Sequence, residues 1–425
     1  MNFVWTILFL KFVVEGSIVA IVDLWIMYVR VGRVWLRPRS DEDRRPNRCV
    51  VQLTSDSPRH SRTCVDDAKM FVNGDDIDPR VATAGGRVRR GTAVVTGTSY
   101  GGIGFYTALQ LALCGMDVVG VCPTPEDAEE CRKCFAVGIE KFCGNLPKGV
   151  SEASRRVGTL QDVVVCDVSD AVQVKTVCEN LFQTPSISLL VTNAGIMATP
   201  PALSRQGYEM QFATHHIGHS IMALTLLSSV ERHPRAARIV VVTSAAAAGG
   251  EISQQTTYTT HAQEVELFLR KADRFKAYSN AKLCNAVFCG ALARHVEKRQ
   301  LNVEVNMLHP GPVRSRVLCN SRLPWTSLLN SDLSGLLRLS PVISACYVTD
   351  LCLNQRHRGV NGHYFRMGED QTVRLGGFLS NERNRHNYIV DSIWFTGVPC
   401  PKVSLSPAAQ EWLFKESLDY FHRAS

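Results

Sequence analysis

The chain has no block of like charge interleaved with aromatics, which excludes a nucleic-acid-binding stripe. No N-x-S/T glycosylation acceptor occurs anywhere in its 425 residues. The single C-x-x-C, Cys131 and Cys134, has no second pair, and no His pair follows it at finger spacing, so no metal site is expected. The 30 glycines and 18 prolines are too sparse for low complexity, and there are no internal repeats. The 15 cysteines lack the dense, regular spacing of a secreted disulfide scaffold. Cys114, Cys122, Cys166 and Cys289 instead sit in apolar runs, as small buried hydrophobes do, so free thiols in a reducing compartment are expected. With 45% apolar and 20% charged residues, wholesale disorder, a fibre and a multi-span membrane protein are excluded. What remains is an ordinary globular composition with a net charge of +8, unevenly placed. Residues 1–90 carry 15 Lys/Arg against 11 Asp/Glu, half of the whole surplus.

That surplus sits beside a hydrophobic segment. Residues 3–29 are mostly apolar and exceed the roughly 20 residues a bilayer span needs. Lys11, Glu15 and Asp23 interrupt them, but Lys11 and Glu15 are four apart and can pair on one helix face. A charged leader is missing and the apolar stretch is long, so a cleaved signal peptide fits poorly. Arg30, Arg33, Arg37, Arg39, Arg44, Arg45 and Arg48 follow, which by the positive-inside tendency places the remainder on the cytoplasmic side. The expectation is a membrane anchor over 1–37, spanning or monotopic. Residues 38–90 alternate in charge sign, with few apolar clusters, and read as a flexible tether.

From Thr92 the pattern becomes strands alternating with helices. The run Ala93–Val95 leads into T-G-T-S-Y-G-G-I-G at 96–104, and a helical stretch follows over Phe105–Cys114. Further short apolar runs end at Cys122, Cys166, Val191 and Val242. Such alternation predicts an α/β domain over 91–425: a Rossmann-type, doubly wound parallel sheet behind the anchor and tether. Insertions are expected near 131–159 and 249–276. Glycines in the first strand-to-helix turn permit close approach of backbone N–H groups to a pyrophosphate. A C-terminal amphipathic helix is expected over 407–421, with Pro407 in its first turn.

The glycine turn does not stand alone. Asn193-Ala194-Gly195 follows one strand, Ser244 ends another, Tyr278-Ser-Asn-Ala-Lys282 lies on a helix, and His309-Pro310-Gly311-Pro312-Val313 follows a further strand. This ordered set resembles the short-chain dehydrogenase/reductase superfamily. The wording of 211–219, 278–285 and 359–365 is similar to its retinol-dehydrogenase-like branch, and the resemblance spans about 92–366. It implies hydride transfer between a nicotinamide and an alcohol or carbonyl. Tyr278 would be the acid/base, Lys282 would lower its pKa and hold the cofactor ribose, and Ser244 would orient the substrate oxygen. Tyr258 is a rival for spacing, but the residue four beyond it is Ala262, which brings no ammonium. The cofactor-binding set implied is Thr96, Gly97, Thr98, Ser99, Gly102, Ile103, Gly104, Asp167, Asn193, Ala194, Gly195, Tyr278, Lys282, Pro310, Gly311 and Val313. For Asp167 the alternative is a helix cap for 168–180.

Two departures from the family pattern stand out. The glycine turn is one residue longer, with Tyr100 or Gly101 the extra residue. His215 occupies the position of a family Asn that supports a proton relay from the Lys, and it is included with the catalytic set. His216 and His219 read as packing. No acid follows the second strand, which ends Cys122-Pro123-Thr124, so NADP is preferred over NAD. The segment 312–340 is apolar and reads as a lid or as core helix. Together with the anchor it suggests a lipophilic substrate, and the resemblance points to retinoids, steroids or polyprenoid alcohols. It also implies the endoplasmic reticulum membrane, and a homodimer through the helices bearing 215–230 and 278–295. The competing reading is a non-catalytic binding or regulatory protein on a decayed dehydrogenase scaffold.

Overall fold

Short, Val-rich runs between helices pair into one sheet buried on both faces. The computed structural model describes residues 90–144, 157–183, 185–252, 273–311, 313, 317, 339–366, 369–370 and 407–424. The strands are β1 (Arg90–Thr96), β2 (Met116–Cys122), β3 (Leu160–Val165), β4 (Ile187–Thr192), β5 (Ala237–Val242), β6 (Val303–His309), β7 (Tyr364–Arg366) and β8 (Glu369–Asp370). Their order is β3-β2-β1-β4-β5-β6-β7-β8. The first seven run parallel, and only the two-residue β8 is antiparallel, pairing Phe365 with Asp370.

Successive side chains leave a strand on opposite faces, so each strand feeds two cores. Ala93 and Val95, Leu189 and Val191, and Val240 and Val242 enter one core, against Phe105, Leu109, Leu351 and Phe365. Val94, Leu190, Ile239 and Val241 enter the other, against Phe182, Ile221, Leu226 and Leu292. The first core lies under helices α1 (Ile103–Leu113), α2 (Pro125–Gly144) and α6 (Pro341–Leu353). The second lies under α3 (Ala171–Leu181), α4 (Gly218–Arg232), α5 (Arg274–Lys298) and α7 (Pro407–Arg423). Residues 131–144, expected to begin an insertion, instead complete the crossover helix α2. The ends of the second expected insertion meet, because Lys276 Nζ donates to the Gly249 carbonyl at 3.1 Å and pairs with Glu251 at 2.8 Å. The helix after Asp167 is capped by Asp170, whose carboxylate accepts the N–H groups of Val172 and Gln173.

Helix α7 lies across α4 and α5, on the faces where the family-type dimer was expected. Its Leu413, Ser417 and Tyr420 are buried there. His216 Nε2 is 3.2 Å from the Ser417 hydroxyl, and Phe414 stacks on Phe288. The ammonium of the buried Lys175 donates to the Phe421 carbonyl and sits 3.1 Å over that residue's ring. The anchor over 1–37, the tether to 89 and nearly all of the 312–340 lid lie outside the described residues. Among the described residues, no helix is long and apolar enough to cross a membrane.

Candidate active site

The strand order reverses between β1 and β4, and open sheets of this kind bind ligands outside the carboxyl ends of the strands at such a point. Thr96 ends β1, Asn193 follows β4, Ser244 stands just past β5, and Pro310-Gly311 follows β6. All therefore gather at one edge.

The glycine turn absorbs its extra residue at Gly101. That residue adopts a φ of +81°, and a Cβ built there would meet nothing within 4 Å, so the bulge points into open space. Tyr100 is not the added element, because its ring packs edge-on against Phe105 at 5.1 Å. Gly102 then caps α1 with no side-chain hydrogen bond, leaving the first-turn N–H groups free of a side-chain acceptor. An open turn at an uncapped helix N-terminus fits the diphosphate of a dinucleotide. Thr98 serves the sheet, with its hydroxyl 3.3 Å from the Val121 carbonyl and 3.2 Å from Cys122 Sγ. Asp167 is exposed at the end of β3, where its carboxylate accepts the N–H and hydroxyl of Ser169. Val313 bridges to Leu339, while Pro312 is outside the described residues.

Asn193 donates its side-chain amide to the Thr96 carbonyl at 2.9 Å, tying the turn after β4 to the turn after β1. Gly195 and Ile196 face a histidine. A Cβ on Gly195 would stand 2.4 Å from His215 Cε1, so only glycine admits the ring. His215 lies in a π-turn, Ala213–Ile217, ahead of α4, a geometry that recurs at functional sites. Its Nε2 lies 2.7 Å from the Ile196 carbonyl and 3.3 Å from the Ile196 nitrogen, and the shorter contact, to a group that only accepts, puts the ring proton on Nε2. Nδ1 is then bare, buried and without a protein partner. Burial and the nearby Lys282 push the imidazole well below its ordinary pKa, so it is neutral.

Tyr278 and Lys282 are one turn apart on α5, both buried. The His215 and Tyr278 rings meet edge-on at 5.4 Å. Burial pushes the Tyr278 phenol up to about 12, opposed by a hydrogen bond from Ser244. Ser244 also caps the short helix Ala245–Gly249 through Ala246 N–H. Lys282 Nζ donates to the Val242 carbonyl at 3.0 Å and lies 5.9 Å from the Tyr278 ring centre. Burial alone pulls its pKa down to about 7, and no carboxylate among the described residues pairs with it.

A small apolar wall faces the same edge. Ala198, held at a φ of +51°, packs with Met197, Phe275 and Val317. Gln211 fixes it by accepting the Ala198 N–H and donating to the Arg274 carbonyl, each at 2.9 Å. This wall was not foreseen, since Met197 and Ala198 carry no motif. Their only sequence signal is position, two and three residues after Gly195.

A glycine turn at the sheet's switch point, beside a half-buried Ser244 and buried Tyr278 and Lys282, defines an NAD(P)-dependent oxidoreductase. The signature of the short chain dehydrogenase family matches residues 91–274. Human retinol dehydrogenase 14 is 30% identical over 305 residues, covering 68% of this chain and 83% of that protein. Short-chain dehydrogenase TIC 32 B of Brassica napus chloroplasts is 28% identical over 280 residues, covering 64% and 79%. Among solved structures, the RhlG/NADP active-site complex of Pseudomonas aeruginosa aligns with a TM-score of 0.46 and 18% identity, over 68% of this chain and 96% of that one. The chain belongs to the short-chain dehydrogenase/reductase superfamily, and within it to the retinol-dehydrogenase-like branch.

Proposed function

We propose that the protein interconverts an alcohol and a carbonyl on a lipophilic substrate, of retinoid, steroid or polyprenoid type, at the cytoplasmic face of the endoplasmic reticulum membrane. The observation that carries this is the placement of Tyr278 beside Ser244 and one helical turn from the buried ammonium of Lys282. The apolar wall at Met197, Ala198, Phe275 and Val317 suits a greasy substrate. When bound, the nicotinamide supplies or accepts the hydride, held through the turns at 96–104, 193–195 and 310–313. Tyr278 holds its proton at neutral pH and donates it to a carbonyl oxygen that Ser244 orients. Lys282 holds the cofactor ribose. The missing acid after Cys122 favours NADP.

His215 takes the relay position. Its bare Nδ1 accepts a hydrogen bond from the Lys282 side of the site, directly or through water. His215→Phe keeps the ring against Tyr278 and removes that nitrogen. Turnover is expected to fall roughly tenfold or more with cofactor affinity retained. Wild-type kcat across the pH range would remove His215 from the mechanism.

The reading is tested with detergent-solubilised protein. Tryptophan fluorescence is followed against NADPH and then NADH, and turnover is assayed with retinol, a steroid alcohol and a polyprenol. Saturable binding, tighter for NADPH, and turnover of one of these alcohols are expected. A folded protein that binds neither cofactor would be the non-catalytic scaffold instead.

A further inference from the structure

A chain of hydrogen bonds crosses the floor of the cofactor crevice, and the direction of every link can be assigned. The Thr96 hydroxyl oxygen accepts the backbone N–H groups of Asn193 at 2.8 Å and Ala194 at 2.9 Å. Its own proton has two acceptors in reach, the Val191 carbonyl at 3.4 Å and His219 Nε2 at 3.0 Å. The other His219 nitrogen, Nδ1, lies 3.0 Å from the His215 carbonyl. A carbonyl oxygen only accepts, so Nδ1 carries the ring proton and Nε2 is bare. Thr96 therefore donates to His219, at the shorter of its two distances. The ring is buried, and burial drives its pKa down to about 3, so Nε2 stays an acceptor at neutral pH.

We propose that His219 is a positioning residue for the nicotinamide cofactor: by holding the Thr96 proton it aims that hydroxyl's lone pairs at Asn193 and Ala194, locking the glycine turn to the N-A-G turn. The proposal rests on the crevice being the dinucleotide site. The neighbouring His216 has only one ring nitrogen engaged, Nε2 at 3.2 Å from the Ser417 hydroxyl, while its Nδ1 has no partner; in His219 both nitrogens are placed. Through Thr96 Oγ1 a single ring nitrogen sets the spacing of two of the loops that line the crevice. Through Nδ1 the same ring holds the backbone of His215, so the crevice and the catalytic side share one support.

The experiment compares the full chain with His219→Leu, His219→Gln and Thr96→Val, reading NADPH affinity, kcat against KM, and thermal stability. The Leu variant removes the acceptor and is expected to weaken NADPH binding roughly tenfold, the scale of one buried hydrogen bond lost. Glutamine offers a carbonyl oxygen and an amide at the two ring-nitrogen positions and is expected to recover most of that binding. Thr96→Val removes the hydroxyl itself and is expected to match the Leu variant, with no further loss when the two are combined. Equal losses in the Leu and Gln variants, additive losses in the double variant, or wild-type affinity in His219→Leu would overturn the assignment. Should the Leu variant fail to fold, unchanged NADPH affinity in Thr96→Val would overturn it equally. If the wild-type protein binds neither NADPH nor NADH, the dinucleotide reading itself fails; binding by wild type and variants alike removes only the role of His219.

Discussion

Tyr278→Phe is expected to cost about a hundredfold to ten-thousandfold in kcat while leaving the fold and cofactor affinity in place. The substitution deletes one oxygen. The ring keeps its edge-on contact with His215 at 5.4 Å and its place on α5. What disappears is the hydroxyl beside Ser244, and with it the proton that has to reach the substrate oxygen. The pH behaviour sharpens the test. Burial pushes the wild-type phenol up to about 12, so the group stays protonated through the neutral range. Carbonyl reduction should therefore be flat near pH 7 with respect to this group, and alcohol oxidation should rise with pH. Both features vanish with the hydroxyl. Full turnover in the Phe variant would remove Tyr278 as acid/base.

Lys282→Met should move activity and stability in opposite directions. Turnover is expected to fall by at least about a hundredfold, because the ammonium one turn from the acid is lost. Stability of the ligand-free protein at pH 6.5 should rise. Lys282 is buried on α5 with the Val242 carbonyl as its acceptor, and burial pulls its pKa from 10.5 to about 7. Between those values the unfolded chain holds a proton that the folded chain has released, so stability climbs with pH. The slope approaches about 1.4 kcal/mol per pH unit from this one group. Below pH 7 both states are protonated, and the full cost of burying the charge is present. Methionine fills similar space without that cost, and its variant should lack the slope. Urea denaturation at pH 6.5, 8 and 9.5 measures both curves. A wild-type curve without the rise, or a Met variant less stable at pH 6.5, would contradict a buried, unpaired ammonium. A site that spends stability on function is the expected pattern for an active centre.

Much of this arrangement was legible in the amino-acid order. Strand identity follows from Val- and Ile-rich runs, and the sheet order from their alternation with helices. The motif spacing alone selects Tyr278 over Tyr258, since only Tyr278 has a lysine one turn on. The sequence left the added turn residue open between Tyr100 and Gly101, and the positive φ at Gly101, which glycine takes freely, came only with the structure. Other features were hidden for identifiable reasons. Residues 131–144 look polar and cysteine-rich, yet their exposed charges decorate the outer face of α2, while Cys131 and Phe135 are buried on the inner one. The cap of α3 shifts from Asp167 to Asp170 because Ser169 engages the first carboxylate. The role of His219 depends on which nitrogen meets which oxygen across 123 residues of sequence, and no local pattern encodes that.

Helix α7 has a consequence for how the protein is made. The face it covers is assembled from α4 and α5, and the links that seal it join residues 201 and 246 positions apart. At ordinary translation rates of about 5–20 residues per second, Lys175 emerges on the order of tens of seconds before the carbonyl it will bond. Through that interval the sheet is already pairable, but Phe288, Cys284 and their neighbours have no cover. The nascent chain therefore carries a greasy surface that only its own distal segment can close. Its cellular yield should depend on chaperones that shield that surface during synthesis, more than on the final stability of the folded enzyme.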